Sequence, residues 1–220
     1  MAVVQRTTRQ EAAEDTRQRI LAAAEQVFAD ESFSGASMRA IADGAGVAQG
    51  LLHYHFENKR SLYASVVGWR AGLINAERIR LLDAADPADL GAILEALFRP
   101  ALAHNAGGGA YARIMASMVT GDAMHQALVR EHYDATAGRF IAAVQRCTGF
   151  DRREAAWGYS LAIHVMVAGM ARSGRTERLA GEPGPASREA FLAQLIAFAV
   201  GGIKGLGDRE TPLAATGGRP

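Results

Sequence analysis

Residues 46–63 read GVAQGLLHYHFENKRSLY, and the fold turns on what this stretch is. Gly46 breaks a preceding helix, and a second short helix fits between about Ala48 and Phe56. Leu52 and Phe56 stand four apart and share its inward face, with Val47 packing at the turn. Gln49, Gly50, Leu51, His53, Tyr54 and His55 are left outside. The two histidines invite a metal reading, but helix geometry refuses it. Side chains two positions apart point roughly 200° away from each other, so His53 and His55 cannot share an ion. No metal site and no cofactor is expected.

Working outward, the same logic marks helices on both sides. Ile20, Leu21, Ala24, Val27 and Phe28 form one apolar face. Asp15 with Gln18 resembles a capping box ahead of them. The stretch SFSG, residues 32–35, interrupts that helix, and Ser37 can cap the next, whose inner face is Met38, Ile41, Ala42 and Ala45. Asn58 can cap a long helix to about Leu82, and Asp86-Pro87 reads as the start of another. Further helices are expected at 110–119, 122–147, 151–172 and 187–203, punctuated by glycines. No segment alternates with period two, so the fold class is all-α. The expected domains are a flexible arm over 1–14, a three-helix unit over 15–63, a helical domain over 64–204 and a disordered tail over 205–220.

Two short helices joined by a glycine turn and backed by a packing helix make a helix-turn-helix. Its outward residue types suit duplex DNA. Glutamine can pair with adenine through two hydrogen bonds. Glycine permits close approach, and tyrosine, histidine and lysine can meet phosphates. Lys59 stands one turn past Phe56 at the start of the next helix, where the dipole also favours anions.

The stretch RILAAAEQVFADESFSGASMRAIADGAGVAQGLLHYHFENKRSLY resembles the DNA-binding domain of the tetracycline-repressor-like (TetR) family of bacterial transcriptional regulators. The resemblance runs from about Arg19 to Tyr63. It rests on an ordered set: I-L-x-A-A-x-x-x-F, then S-M-x-x-I-A, then A-G-V, then G-x-L-x-Y-H-F and a lysine. It implies a homodimer whose helical C-terminal domain binds a small effector and dimerises through its last two helices. Carried over, it assigns Ser37 and Arg39 to backbone and base contacts. Gln49, Gly50, Leu51 and Tyr54 fall on the groove-facing positions, and His53, His55 and Lys59 on phosphate-contacting ones. Two positions depart from the pattern. Ala48 stands where the family usually has Ser or Thr, removing a helix cap. His53 replaces a common tyrosine, so its phosphate contact should strengthen below about pH 6.5.

The later helices carry their own signal. Trp157, Leu161, His164, Val165 and Ala168 lie along one helix with apolar residues on its other faces, and Phe191, Leu195 and Phe198 along the last. A helix apolar all round must be buried on all sides, and a second copy of the chain is the expected cover. Phe98, Tyr111, Met115, Met118, Met124 and Trp157 are candidate effector-pocket residues, although Met and aromatics at helical spacing ordinarily pack as core. They suit an apolar or weakly polar effector. His125 and His132 share a face but lie about 10 Å apart along the axis, and read as a solvated polar surface.

Composition bounds the rest. The 220 residues are 49% apolar with one cysteine and a net charge of +1. An internal disulfide is impossible, and bulk charge is silent on nucleic acid. The longest apolar runs, 160–171 and 191–203, fall short of the roughly 20 residues of a membrane span. A soluble, cytoplasmic protein with no membrane partner is expected. No nucleophile–base pair or metal spacing supports an enzyme. The expected function is a DNA-binding transcriptional regulator, a repressor released from a near-palindromic operator by its effector. A helical interaction module without DNA binding and a helical-bundle enzyme are the alternatives.

Overall fold

A computed structural model describes residues 2–104, 109–171 and 174–207. Every regular element among them is a helix: α1 (Ala2–Gly35), α2 (Met38–Ala45), α3 (Gln49–His55), α4 (Lys59–Ala84), α5 (Leu90–His104), α6 (Ala110–Thr120), α7 (Ala123–Thr148), α8 (Arg152–Met170), α9 (Arg175–Ala180) and α10 (Arg188–Gly207). The chain divides into two compact units, residues 1–75 with 104–134 and residues 76–103 with 135–220. Helices α4 and α7 each belong partly to both, so the units interleave along the sequence.

In the first unit, Ile20, Leu21, Ala24 and Phe28 are buried, as the apolar period requires. Ser32 then takes φ 60° and ψ 173° and bends α1 at the SFSG stretch. Beyond it, Phe33 returns to the aromatic cluster, with ring centroids 6.2 Å from Phe28 and 5.2 Å from Tyr63. Burial, and secondarily the Asp122 carboxylate, pushes the Tyr63 phenol up to about 12. Glu25, only 3% exposed, is held by Arg70, whose Nε and Nη2 donate to its Oε2 at 2.7 and 2.6 Å. The pair ties α1 to α4. On the opposite flank, Arg113 of α6 donates to the Ala29 carbonyl and to the Asp30 carboxylate, at 3.2 and 2.6 Å. Asn75 Nδ2 donates to the His132 carbonyl at 2.8 Å, joining α4 to α7.

In the second unit, Arg78 donates from Nε to the Leu97 carbonyl at 2.8 Å in a buried setting between α4 and α5. Helix α8 opens with a full capping box: Glu154 N–H donates to Asp151 at 2.8 Å, and Asp151 N–H to Glu154 at 3.0 Å. Helices α8 and α10 pack closely because Gly158 and Gly169 leave room for Ile203 and Phe191.

Several local expectations need correction. Helix α1 begins at Ala2, so helix covers the residues expected as an arm, and Asp15 lies inside it instead of capping it. Asp86 forms a turn, accepting from Ala88 N–H at 2.9 Å, while Asp89 caps α5 by accepting from Gly91 and Ala92. A carboxylate three residues later therefore starts the helix. Helix α9 was not anticipated, and α10 continues to Gly207, three residues into the expected tail. The rest of that tail lies outside the described residues. His125 is no solvated residue: its side chain is 13% exposed and its Nδ1 meets Asp122 at 2.8 Å. Within one chain α8 leaves Trp157, Leu161, His164 and Ala168 at its surface, the face for which a second copy was the expected cover. Helix α10 is long and apolar enough, by length and composition, to cross a membrane, and most of it is unburied within the chain. It exceeds the apolar run because residues at both ends extend it.

Candidate nucleic-acid interface

The helix-turn-helix is assembled by backbone chemistry that its sequence dictates. Ser37 caps α2, its Oγ accepting from Ala40 N–H at 3.1 Å. Gly46 ends the helix in the left-handed region, φ 63° and ψ 39°. The N–H of Val47 then donates back to the Ala42 carbonyl at 3.0 Å, closing a Schellman-type turn. Only a residue without Cβ takes this conformation without strain. Ala48 occupies the cap of α3 and supplies no side-chain hydrogen bond. The seven-residue helix is therefore held by packing, through Leu52 and its C-cap residue Phe56, which are 0% and 4% exposed. The Arg17 guanidinium covers the Phe56 ring at 5.5 Å. Val47, expected in the core, is half-buried.

On the outer face the structure gathers most of the residues singled out by sequence. Gln49, Gly50, Leu51, His53 and Tyr54 are all exposed, Tyr54 by 81% and Leu51 by 40%. A Cβ placed on Gly50 would meet nothing within 4 Å, so the backbone there lies open. His55 is half-buried, its ring edge-on to Tyr54 at 5.4 Å. Ser37 and Arg39 are exposed on α2. Arg39 makes only a loose 3.9 Å pair with Asp43, both side chains mostly in water, a contact worth about 0–1 kcal/mol.

Lys59 is placed differently from the expectation of a free phosphate grip. Its half-buried ammonium donates to the carbonyls of Ala36 at 2.8 Å and Ser34 at 3.2 Å, over the Phe33 ring at 5.0 Å. It clamps the end of α1 to the start of α4. Asn58 and Ser61 cap α4 reciprocally: Ser61 N–H donates to Asn58 Oδ1 at 2.9 Å, and Asn58 N–H to Ser61 Oγ at 3.2 Å. Arg60, not singled out by sequence, is exposed on the same first turn. Its position between a capping residue and an apolar helix was the available signal.

The other candidate residues scatter. Phe98, Tyr111 and Met118 are buried, Met115 and Met124 half-buried, and Trp157 is 59% exposed. The hydroxyls of Tyr111 and Tyr133 share a buried hydrogen bond. Along α8 and α10, Trp157, Leu161 and Phe198 are exposed by 59%, 48% and 66%, with His164 and Ala168 beside them and Val165 half-buried. Of these, Leu161, Val165 and Phe198 line an apolar groove of about 310 Å³ floored by Gly158, Ala162 and Ile203. Leu195 is instead turned into its own core at 4% exposure, and Phe191 sits half-buried against Gly169. Packing of α10 on α8 consumes that side of the helix.

A family model described as bacterial regulatory proteins, tetR family, matches residues 20–66, and one described as tetracyclin repressor-like, C-terminal domain, matches residues 92–202. The chain belongs to the TetR family. Among curated TetR-family relatives, the HTH-type transcriptional repressor BepR of Brucella suis is 44% identical over 63 residues, 29% of this chain and 30% of that one. The regulator AcrR of Shigella flexneri is 36% identical over 76 residues, 34% of each chain. These matches span about a third of the curated relatives' lengths. Solved structures share the fold over a longer stretch. The transcriptional regulator FadR from Bacillus subtilis, in complex with stearoyl-CoA, has a TM-score of 0.66 at 15% identity, covering 84% of this chain and 98% of that one. A TetR-like regulator from Rhodococcus reaches 0.60 at 23% identity, over 86% and 96%.

Proposed function

We propose that this chain is a cytoplasmic, homodimeric transcriptional repressor, without enzymatic activity, that releases DNA when a small molecule binds its helical C-terminal region. The observation that carries the reading is the outer face of α3: four exposed groove-facing residues, Gln49, Gly50, Leu51 and Tyr54, on a helix whose inner side is sealed by Leu52 and Phe56. Two such helices, one from each protomer, enter successive major grooves about 34–36 Å apart on a near-palindromic operator. Ser37, Arg39, His53 and His55 address the backbone around them. Arg60 supplies a phosphate contact at the head of α4, where Lys59 organises the turn.

Trp157, Leu161, Phe198, His164, Val165 and Ala168 form the dimer face. An apolar surface flanked by two aromatic side chains is what a second copy with the same surface covers well. The effector is an apolar or weakly polar small molecule; of the stearoyl-CoA held by the FadR structure, only the acyl chain is of that kind. It acts by binding the DNA-incompetent dimer more tightly than the competent one. A gel-shift with fragments from upstream of the gene tests the reading. A sequence-specific complex, competed only by its own fragment, is expected; no complex with any promoter fragment at low salt sinks the proposal.

A further inference from the structure

We infer that α3 reads A·T base pairs, with thymine methyl groups recognised by Leu51 and Tyr54. The inference rests on the DNA-binding reading above and goes beyond it by naming the base chemistry. Helix α3 is QGLLHYH and contains no arginine, lysine, aspartate or glutamate. Guanine is read best by a cationic fork at its O6 and N7, and cytosine by a carboxylate accepting from its N4 amine. Helix α3 offers neither. The two nitrogens of a histidine ring point along divergent directions, so His53 cannot present a fork to the O6 and N7 of guanine either. At the next helix start Lys59 is engaged with the Ser34 and Ala36 carbonyls, and Arg60 is the phosphate contact proposed above, outside the α3 core. Arg39 is the only cationic side chain within α2 and α3, and it sits on α2; any guanine contact it makes falls outside the α3 core.

What α3 does offer is specific. Gln49, exposed at its first position, matches the N6 and N7 of adenine. Leu51 and Tyr54 are three residues apart, hence neighbours on one helix face, and together they put a branched aliphatic group and an aromatic ring into solvent. Neither is left over from core packing, because Leu52 and Phe56 already seal the inner side. Thymine alone among the bases presents a methyl group in the major groove. The open backbone at Gly50 lets these two side chains reach that depth.

Selection of the full-length chain on random-sequence duplexes should return half-sites with an A·T core. Replacing a core thymine by deoxyuridine, which removes only the methyl, should then weaken binding about fourfold, the burial of one methyl-sized group. Leu51→Ala, at a position exposed enough to leave the melting temperature unchanged, should bind thymine and uracil equally at one core position, and Tyr54→Ala at another. A G·C core overturns the inference while leaving the regulator reading intact. An A·T core indifferent to the methyl also overturns it, assigning the preference to groove shape instead. Recovery of no sequence at all overturns the DNA-binding reading itself.

Discussion

Two regions of this chain leave large side chains in water, and they are built on opposite terms. On α3 the exposed residues each pair an apolar body with a hydrogen-bonding group, or are glycine or a lone leucine. On α8 and α10 the exposed bulk is Trp157, Leu161 and Phe198, the last two lining an apolar groove. The first surface suits a polar, grooved polymer whose bases offer donors, acceptors and methyls. The second suits a surface like itself. The contrast teaches that exposure alone does not name a partner, whereas the ratio of hydrogen-bonding capacity to apolar bulk does.

The contrast can be broken first at its support. Arg70→Ala leaves the Glu25 carboxylate buried without its counter-ion, and should destabilise the first unit by about 3 kcal/mol in urea unfolding. The double change Glu25→Leu with Arg70→Met should recover most of that loss. Next, Phe198→Asp places a charge on the apolar face. It should cost the dimer at least about 2 kcal/mol of association, visible as a monomer in light scattering, with retained helicity and weakened operator binding. A dimer unaffected by Phe198→Asp would move the interface elsewhere.

Lys59→Ala removes two charge-assisted hydrogen bonds and should lower stability by about 1.5 kcal/mol. Because the ammonium is already engaged, the slope of affinity against salt should stay unchanged; a slope smaller by about one would restore Lys59 to the phosphates. Gly50→Ala sharpens the comparison from the DNA side. A Cβ there meets nothing within the protein, so stability should hold or rise slightly. Affinity for DNA should fall roughly tenfold, the equivalent of about 1.4 kcal/mol. The smallest effect is a gain: Ala48→Ser restores a cap to α3 and should add about 1 kcal/mol of stability.

Much of this architecture was legible in the residues. Ser37, Gly46, Asn58 and Asp151 each state a helix boundary through chemistry that acts within four residues, and the structure places a boundary at each. The outward set on α3 followed from the placement of Leu52 and Phe56 alone. Illegible were features set by distant partners. Glu25 and Arg70 are 45 positions apart, and nothing local says that their charges meet. Lys59 looked like a phosphate ligand because its other partners are carbonyls, which every residue carries. Asp86 and Asp89 both have the chemistry of a cap, and the one beside the buried Leu90 is the one that caps α5. Helix α8 is apolar on every side, yet the face its own chain leaves open carries Trp157, Leu161, His164 and Ala168, the set marked in the sequence.

Ser32 has a consequence for the order in which the molecule forms. Its backbone, φ 60° and ψ 173°, lies in a region nearly restricted to glycine, at a cost of about 1–3 kcal/mol. Phe33 and the carbonyls of Ser34 and Ala36 follow immediately, and Lys59 is what meets all three. Within α1 the Phe28–Phe33 stacking and a Ser32–Ser34 hydroxyl contact offset part of the strain, and the last turn of the first helix gains its remaining support when α4 docks. Folding should therefore begin in the Ile20–Phe28 segment with α2 and close at Phe33, giving high φ-values at Ile20 and Leu21 and values near zero at Phe33 and Lys59.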